Sequence, residues 1–388
     1  MIGDRHHAIV ISDLHAGLRL PHARLAPDAT TSDRLDDVLD VLSQVRCYAD
    51  TNAITRVYIL GDLFDRRHPD APTLIRTAEA LRALARGGLP RRVCLLPGNH
   101  DAHDRAGRVY SIDLFDVLKS PGIEVMGHGW RERRDGLTLH AVPWLPGPLF
   151  RQRVQALTLA PGRNVLMFHQ AVKGARDGDY VTLRGVEREV FSRFELALSG
   201  HIHEAQALDE GRIRYLGAPL HLRFSDAGRA CAFWVLDERE LSLTAVPVRA
   251  PPFVRWRFHA DAERGAAEVV AQELPGQVEA FLEERRRFDR PAYLEVVVEG
   301  ARADVDAGCA RIQRLTDALE GRFLRRVRLA RVYTDAGASA RLPVPGAISS
   351  PEALVDAFVQ VAEGGAQRWP AGVSAEALAR FGREMLSP

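Results

Sequence analysis

The sequence predicts an α/β fold for the first half of the chain, because two kinds of segment alternate there. Short runs rich in β-branched residues are typical of buried strands. They occur at 8–12, 56–60, 92–96 and 164–168. The intervening segments 33–48 and 73–86 carry apolar residues at helical spacing. Further strand-like runs follow without a helix between them, at 196–199, 212–217, 230–236 and 241–248. We therefore expect layered helices and strands, followed by an antiparallel or mixed second sheet.

The 388 residues are enough for two domains, at roughly 150 residues each. Pro251 and Pro252 interrupt the pattern, so we expect a first domain at 1–250. Residues 251–335 predict a small α+β domain. Its expected strands are 253–259, 292–298 and 323–334, and its expected helices lie around 275–287 and at 304–320. The proline-bearing segment 336–348 predicts a linker, and 349–388 predict two short helices.

Composition and charge exclude several classes of protein. Hydrophobic residues make up 46% of the chain, which excludes global disorder. The net charge is +1, so the molecule as a whole does not attract polyanions, and a nucleic acid would need a local patch, a metal or a partner. The four cysteines form no CxxC pair, which argues against a structural zinc site and for a reducing compartment. No apolar run has the roughly 20 residues of a membrane span, and we expect a cytoplasmic protein without membrane contact.

Five short polar motifs follow one another along the chain, most of them directly after a predicted strand. They are DLH at 13–15, GDLFD at 61–65, GNHD at 98–101, a single His169, and GHIH at 200–203. Ligand sites in open α/β sheets form at the carboxyl ends of strands, so these loops are expected to converge on one crevice.

The residue types in these motifs favour a site for two divalent cations. Asp and Asn oxygens together with neutral imidazoles suit hard to borderline ions, and thiolates are absent from the motifs. Asp62 is the natural bridging carboxylate between cations about 3.5–4 Å apart, which would hold a phosphate and lower the pKa of a bound water. His100 is placed to protonate the leaving oxygen as a general acid.

Taken in order, the five motifs resemble those of the calcineurin-like binuclear metallophosphoesterases. GDLFD, VPW at 142–144, and RYLGAPLHLRFSD at 214–226 leading into CAFWVLD at 231–237 are similar to the SbcD branch, which includes DNA double-strand-break repair nucleases and a T-even phage counterpart. The resemblance covers roughly 1–335. It implies a two-sheet α/β sandwich flanked by helices, with a small α+β capping domain and a C-terminal helical pair.

Carried over position by position, the resemblance assigns ligands to two metals. The first would be held by Asp13, His15, Asp62 and His203, and the second by Asp62, Asn99, His169 and His201. Manganese is the implied ion, although the ligand set also admits iron or magnesium. Asp65 and Asp101 belong to the motifs and are expected to orient ligands through hydrogen bonds.

The resemblance also implies an activity and partners. The activity is that of a DNA exonuclease and endonuclease subunit, working with an SbcC-type, SMC-like ATPase as a homodimer within a heterotetramer. The helices at 349–388 would grip the base of the coiled coil of that ATPase. Arg223, Arg325 and Arg326 are candidate DNA contacts, and for the last two a solvated charged face is the alternative.

The same residues are also compatible with two other functions. The same motifs would serve a phosphatase or phosphodiesterase that acts on small molecules or proteins. A non-catalytic adaptor that keeps the fold is disfavoured, because none of the expected ligand positions is missing.

Overall fold

The computed structural model describes residues 6–19, 33–104, 106–261, 263–285, 290–319 and 324–334. The predicted linker and the predicted C-terminal helices lie outside these residues. The described residues within Met1–Arg255, Leu282–Glu295 and Leu319–Arg328 form one compact unit. Those within Trp256–Phe281, Val296–Ala318 and Leu329–Pro388 form a second.

The strands and helices of the described residues alternate over the first part of the chain and then give way to strands. The strands are β1 (His7–Ile11), β2 (Arg56–Leu60), β3 (Arg92–Leu96), β4 (Ile123–Val125), β5 (Arg131–Arg134), β6 (Leu137–Val142), β7 (Arg163–His169), β8 (Arg176–Asp177), β9 (Tyr180–Val181), β10 (Leu196–Gly200), β11 (Gln206–Leu208), β12 (Ile213–Tyr215), β13 (Ala232–Asp237), β14 (Ser242–Pro247), β15 (Phe253–His259), β16 (Ala292–Gly300) and β17 (Leu324–Tyr333). The α-helices are α1 (Asp33–Thr51), α2 (Ala71–Arg86), α3 (Leu114–Val117), α4 (Gly147–Gln155), α5 (Ala266–Arg285) and α6 (Arg302–Leu319).

The first large sheet has the strand order β14-β13-β1-β2-β3-β4. The strands β1 to β4 pair in parallel, whereas β13 runs antiparallel to β1 and β14 antiparallel to β13. Alternate residues of β1 belong to different cores. Ile9 and Ile11 join the core that includes Leu35 and Val38 of α1, while Ala8 and Val10 join the core that includes strands of the second sheet. Both faces of the strand are therefore buried, which explains why its sequence is apolar throughout.

The second large sheet has the order β11-β12-β10-β7-β6-β5, with parallel pairing from β12 to β6 and antiparallel strands at both edges. Leu139 of β6 and Met167 of β7 pack in the core that it shares with the first sheet. The predicted two-sheet α/β sandwich flanked by helices is confirmed.

The distribution of strands between the two sheets differs from the expectation. The segments expected at 230–236 and 241–248 of the second sheet form β13 and β14, which complete the first sheet. In turn β7, expected beside β1 to β3, lies in the second. Apolar content predicts that a segment is a buried strand, but the partner of that strand is set by contacts between segments far apart in the chain.

The remaining elements match the predicted α+β region in type and order. The strands β15, β16 and β17 form a three-stranded sheet, and α5 and α6 are its helices. The first helix was expected around 275–287, but α5 begins at Ala266 and contains Pro275 in its interior. A proline commonly marks a helix start, and here it only removes one interior hydrogen bond from a longer helix. Trp256 of β15 packs edge-on against Phe281 of α5, with ring centroids 6.0 Å apart.

Candidate metal centre

The five motif loops leave the same edge of the sandwich, after β1, β2 and β3 of one sheet and β7 and β10 of the other. The first two loops continue the pairing of their strands beyond the strand ends. The amide of Asp13 donates to the carbonyl of Gly61 at 3.1 Å, and the amide of His15 donates to that of Asp62 at 2.9 Å. The side chains of the two loops are thereby held next to one another.

The backbone of these loops adopts a conformation that side chains normally avoid. Asp13, His15, Asp62 and His201 have φ angles of 53°, 48°, 50° and 79°. Left-handed conformations are uncommon outside glycine and cost of order 1 kcal/mol or more each, and they concentrate at functional sites. Here they turn four candidate ligands sharply out of their strands.

Two motif glycines allow candidate ligands to approach the backbone closely. A Cβ atom at Gly61 would lie 2.0 Å from the Nδ1 of His169, and one at Gly98 would lie 2.1 Å from a carboxylate oxygen of Asp62. Any larger residue at either position would displace a candidate ligand.

The first group of side chains consists of Asp13, His15 and His203, whose ligand atoms all lie within 4.8 Å of one another. The Asp13 carboxylate accepts the backbone N–H of His201 at 2.9 Å, which ties the first motif loop to the last. The rings of His15 and His203 meet edge to face with centroids 5.1 Å apart. The loops after β1 and β10 thus contribute to one cluster.

The second group consists of Asp62, His169 and His201, also within 4.8 Å. Asn99 lies beside it, with its side-chain oxygen 3.0 Å from His169 Nε2 and 2.7 Å from His201 Nδ1. His169 Nδ1 donates to the carbonyl of Leu60 at 2.9 Å, so its Nε2 is directed into the cluster. A backbone carbonyl on the outer nitrogen is the usual support of a metal-binding histidine.

Asp62 lies between the two groups. One of its carboxylate oxygens is 3.7 Å from His15 Nε2 and 3.2 Å from His169 Nε2. Burial raises the pKa of Asp62, but the imidazoles of His169 and His15 more than offset this and hold it well below its usual range. An ionised carboxylate at 1% exposure faces both clusters, as a bridging ligand must.

The donor atoms fit divalent cations. Within the described residues, His15 Nε2 and His203 Nδ1 are buried and have no hydrogen-bond partner, although unpartnered buried nitrogens are normally avoided. Burial and the neighbouring His169 lower the pKa of His201 to about 3, which keeps this imidazole neutral and able to coordinate. The Asp and His clusters could therefore hold metal ions.

His100 stands at the open side of this arrangement. Its Nδ1 donates to the carbonyl of Asp65 at 2.7 Å, which leaves Nε2 available for another group. The Asp65 carboxylate in turn lies 3.3 Å from His15 Nδ1 and orients that ring. His100 also lies within 4.8 Å of His15 and Asp62 atoms, so geometry alone allows it to be either a metal ligand or a proton donor.

Comparison with known families decides the chemistry of the site. A model of the calcineurin-like phosphoesterase family matches residues 6–205, which is just over half of the chain and includes all five motifs. The chain belongs to the calcineurin-like phosphoesterases. It is therefore a metal-dependent phosphoester hydrolase, and the paired clusters described above are its candidate metal site.

Solved structures similar to this phosphoesterase come from several organisms. A Thermus thermophilus protein shares 15% identity, with 63% of this chain and 99% of the other covered and a TM-score of 0.41. A dimetal phosphatase from Danio rerio shares 12% sequence identity, with 59% of this chain and 91% of the other covered and a TM-score of 0.39. The Pseudomonas putida nuclease MPE shares 15% sequence identity, with 62% of this chain and 87% of the other covered and a TM-score of 0.27.

Asp101 of the phosphoesterase site lies deeper than its neighbours in sequence. Its carboxylate accepts the backbone N–H groups of Gly98 at 2.9 Å and Phe64 at 3.1 Å. Burial, with the charge of Asp62 next, raises the pKa of Asp101 to about 6. Asp101 thus holds two motif loops together through their backbones, whereas Asp65 contacts a candidate ligand directly.

A group of side chains at the mouth of the phosphoesterase site was missed from the sequence. Arg66, Arg67 and His68 are exposed and line an open cleft of about 540 Å³ together with Asp65, Asn99 and His100. The available signal was their position, because they directly follow GDLFD and precede α2. His68 also meets His103 edge-on, at a centroid distance of 4.5 Å.

The candidate DNA contacts lie outside the clusters. Arg223 pairs with Asp226 at 3.2 Å and also with Asp177. Arg325 lies 2.6 Å from the buried Asp37. The side chain of Arg326 is outside the described residues, and a role of these arginines in DNA binding stays a prediction.

The phosphoesterase shows no helix, among the residues that are described, with the length and apolar character needed to cross a membrane.

Proposed function

We propose that this phosphoesterase is a manganese-dependent DNA nuclease of the SbcD type, which hydrolyses phosphodiester bonds as an exonuclease and endonuclease. The observation that carries the proposal is the convergence of seven carboxylate, amide and imidazole side chains from five loops beside an open cleft. The set comprises Asp13, His15, Asp62, Asn99, His169, His201 and His203. Two bound cations would supply charge to hold the scissile phosphate and lower the pKa of a water.

The residues of the chain divide the remaining work. Asp62 joins the two ligand groups and fixes their spacing. His100, with its Nδ1 held by the Asp65 carbonyl, directs Nε2 towards the cleft and protonates the leaving oxygen. Because the 3′ or 5′ oxygen of a sugar is a poor leaving group without a proton, this role suits a nucleic-acid diester.

The shape and charge of the cleft support a polymeric substrate. The cleft is open, and Arg66 and Arg67 provide two exposed guanidinium groups beside His100. Guanidinium groups bind backbone phosphates without reading sequence. A phosphatase that acts on small molecules or proteins is the competing function, since it would use the same metal ligands.

The test compares three substrates with the purified full chain in manganese. We expect hydrolysis of single-stranded and nicked DNA and of bis(p-nitrophenyl) phosphate, with much slower hydrolysis of p-nitrophenyl phosphate, a monoester. Asp62→Asn is expected to abolish all of these activities, because it weakens a ligand shared by both groups. Manganese should also raise the melting temperature of the wild type and leave that of Asp62→Asn unchanged, because a cation that binds only the folded state stabilises it.

Rapid hydrolysis of the monoester with no hydrolysis of DNA would favour the phosphatase. Full DNA hydrolysis by Asp62→Asn would contradict the assignment of the metal centre.

The proposal extends to partners: DNA, a second copy of this chain, and an SbcC-type ATPase that binds residues 349–388. The support is the sequence pattern, in which two short apolar-striped segments follow a proline-bearing linker. Deletion of 349–388 is expected to preserve manganese nuclease activity and to abolish co-purification with the ATPase. Loss of nuclease activity through unfolding would show instead that these residues belong to the core.

A further inference from the structure

A short hairpin lies between the fourth and fifth motif loops. It is formed by β8 and β9, with the pairs Arg176–Val181 and Asp177–Tyr180 closed by Gly178 and Asp179. Gly178 has a φ angle of 64°, as the first central residue of a tight hairpin turn requires. Further hydrogen bonds extend the ladder, from Thr182 N to the Ala175 carbonyl at 2.7 Å and from Gly174 N to the Thr182 carbonyl at 2.8 Å. The hairpin is therefore an ordered element rather than an irregular loop.

The root of the hairpin is fixed next to one candidate ligand. Gln170 directly follows His169, and its carbonyl accepts the hydroxyl of the buried Tyr215 at 2.8 Å. The same hydroxyl accepts the amide of Val172 at 2.8 Å. The chain that leaves the second metal group thus enters the hairpin along a fixed path.

The tip of the hairpin is fixed next to another candidate ligand. The amide of Gly178 donates to the carboxylate of Glu204 at 2.8 Å, and Glu204 directly follows His203. Gln206 exchanges two hydrogen bonds with the backbone of Arg176, at 2.8 and 2.6 Å. The hairpin is held at both ends by segments that carry metal-site histidines.

One face of the hairpin is anchored to the loop at 222–229. Asp177 pairs with Arg223 and with Arg229, the latter at 3.0 Å. Cross-strand partners lie on the same face of a hairpin, so Tyr180 lies on the face that Asp177 anchors. Arg223 pairs with Asp177 and Asp226, and Arg229 pairs with both of these and with Glu204, so the charges of the two arginines are already matched by carboxylates.

The side chain of Tyr180 projects from the hairpin and does not pack into a core of the described residues. Its side chain is 63% exposed, and it makes no hydrogen bond or ring contact with the described part of the chain. A large aromatic side chain held out on a firmly anchored turn offers the face of its ring to a ligand.

We infer that Tyr180 is a stacking platform for a nucleobase of single-stranded DNA bound in the phosphoesterase site. This inference rests on the proposed nuclease function and adds a contact to the base beside the contacts to phosphate. An aromatic ring can stack on every base, so the contact selects single-stranded polynucleotide without selecting sequence. The carboxylates around Arg223 and Arg229 match their charge, so the contact that Tyr180 adds on this face is stacking on a base.

The test measures stacking directly and without catalysis. Short single-stranded oligonucleotides that carry 2-aminopurine at successive positions are titrated with the full chain in EDTA, where stacking on an aromatic ring quenches the fluorescence. We expect quenching at one position with the wild type and with Tyr180→Phe. Tyr180→Ala and Tyr180→Leu should lose the quenching and weaken the binding by about 5- to 100-fold.

Tyr180→Leu is the matched control, because it keeps apolar bulk and removes the aromatic ring. Wild-type affinity and quenching in Tyr180→Ala, or full affinity in Tyr180→Leu, would overturn the inference, as would a wild type that quenches no position. These outcomes are distinguishable from failure of the proposed function. That failure appears as a wild type that hydrolyses p-nitrophenyl phosphate in manganese but not DNA.

Discussion

At the scale of single residues, the chain concentrates unfavourable features at the five motifs. Asp13, Asp62 and His169 are at most 1% exposed, although charged and polar groups are expensive to bury. Asp62 and His201 also occupy left-handed backbone conformations. Each left-handed residue of this kind costs of order 1 kcal/mol or more. The arrangement is explained if these side chains bind cations, which compensate buried charge.

His100 provides the sharpest test at this scale. If its Nε2 protonates the leaving oxygen, His100→Ala should retain both metals and lose about 10²- to 10⁴-fold in the rate of DNA hydrolysis. Hydrolysis of bis(p-nitrophenyl) phosphate should fall much less, because nitrophenolate leaves without a proton. Steady-state rates on the two substrates and the metal content by elemental analysis are the measurements. Loss of a metal in His100→Ala would identify His100 as a ligand, which its distance to His15 and Asp62 also permits.

At the scale of elements, the site depends on how closely five loops approach one another. The loops are joined by hydrogen bonds between a motif carboxylate on one and a backbone N–H on another. Asp13 accepts from His201, Asp62 accepts from His100 at 2.8 Å, and Asp101 accepts from Phe64. A change in one loop is therefore transmitted to its neighbours.

Gly98→Ala tests this close approach. A Cβ atom at Gly98 would lie 2.1 Å from Asp62 Oδ1 and 2.3 Å from the Asp62 amide, so Asp62 must move. We expect Gly98→Ala to keep its far-ultraviolet circular dichroism spectrum, to lose the stabilisation by manganese and to lose hydrolysis of both diesters.

Gly127→Ala is the matched control for this substitution. Gly127 has no atom within 4 Å of the added Cβ and no left-handed φ angle, so its activity and metal response should match the wild type. Normal metal stabilisation in Gly98→Ala would show that the loops can accommodate the added methyl group, contrary to the close approach in the structure.

At the scale of the whole molecule, one buried group joins the first helix to the last strand of the described chain. Asp37 of α1 is 3% exposed. Its carboxylate pairs with the guanidinium group of Arg34 at 2.7 Å and with that of Arg325 of β17 at 2.6 Å. Arg34 also donates to the carbonyl of His221 at 2.7 Å and lies over the ring of Phe253 at 5.2 Å. Arg325 was expected to face DNA as one of several clustered arginines. In the structure Arg325 pairs with this buried carboxylate, and Arg328 of the same strand pairs with Glu295 at 3.0 Å.

Arg325→Ala should therefore act mainly on stability. Removing one partner of a largely buried pair leaves Asp37 less compensated, and we expect the free energy of unfolding to fall by about 2–3 kcal/mol. Arg328→Ala is the control on the same strand. Its side chain is 51% exposed, so the expected change is within about 1 kcal/mol. Urea denaturation of both variants is the measurement.

The same two variants also bear on the predicted DNA contact. If Arg325 binds backbone phosphate, its removal should weaken DNA binding across sequences and flatten the dependence of affinity on salt. An unchanged salt dependence would limit Arg325 to its role beside Asp37.

Much of the fold followed from local pattern. The strands at 56–60 and 92–96 coincide with β2 and β3, and the helix expected at 73–86 differs from α2 by two residues at its start. Strand composition and helical spacing are local properties, so they can be read without the rest of the chain. The membership of β7 and β13 in their sheets could not be predicted in this way, because all the buried strands are similarly apolar. The predicted start of the helix around 275–287 was wrong, because α5 begins at Ala266 and continues through Pro275.

The sequence by itself determined the chemistry of this protein, and the tertiary structure decided its geometry. The atoms that a side chain can offer to a cation depend on the residue type alone, so the types and order of the motif residues already indicated a two-cation phosphoesterase. Which of them meet depends on loops from two sheets approaching within hydrogen-bond distance, as when Asn99 reaches His169 and His201. Only the fold places Arg66 beside His100, Arg325 against Asp37 and Tyr180 on a hairpin between two ligand loops. Those relations are contacts between residues far apart in the chain, and no local pattern encodes them.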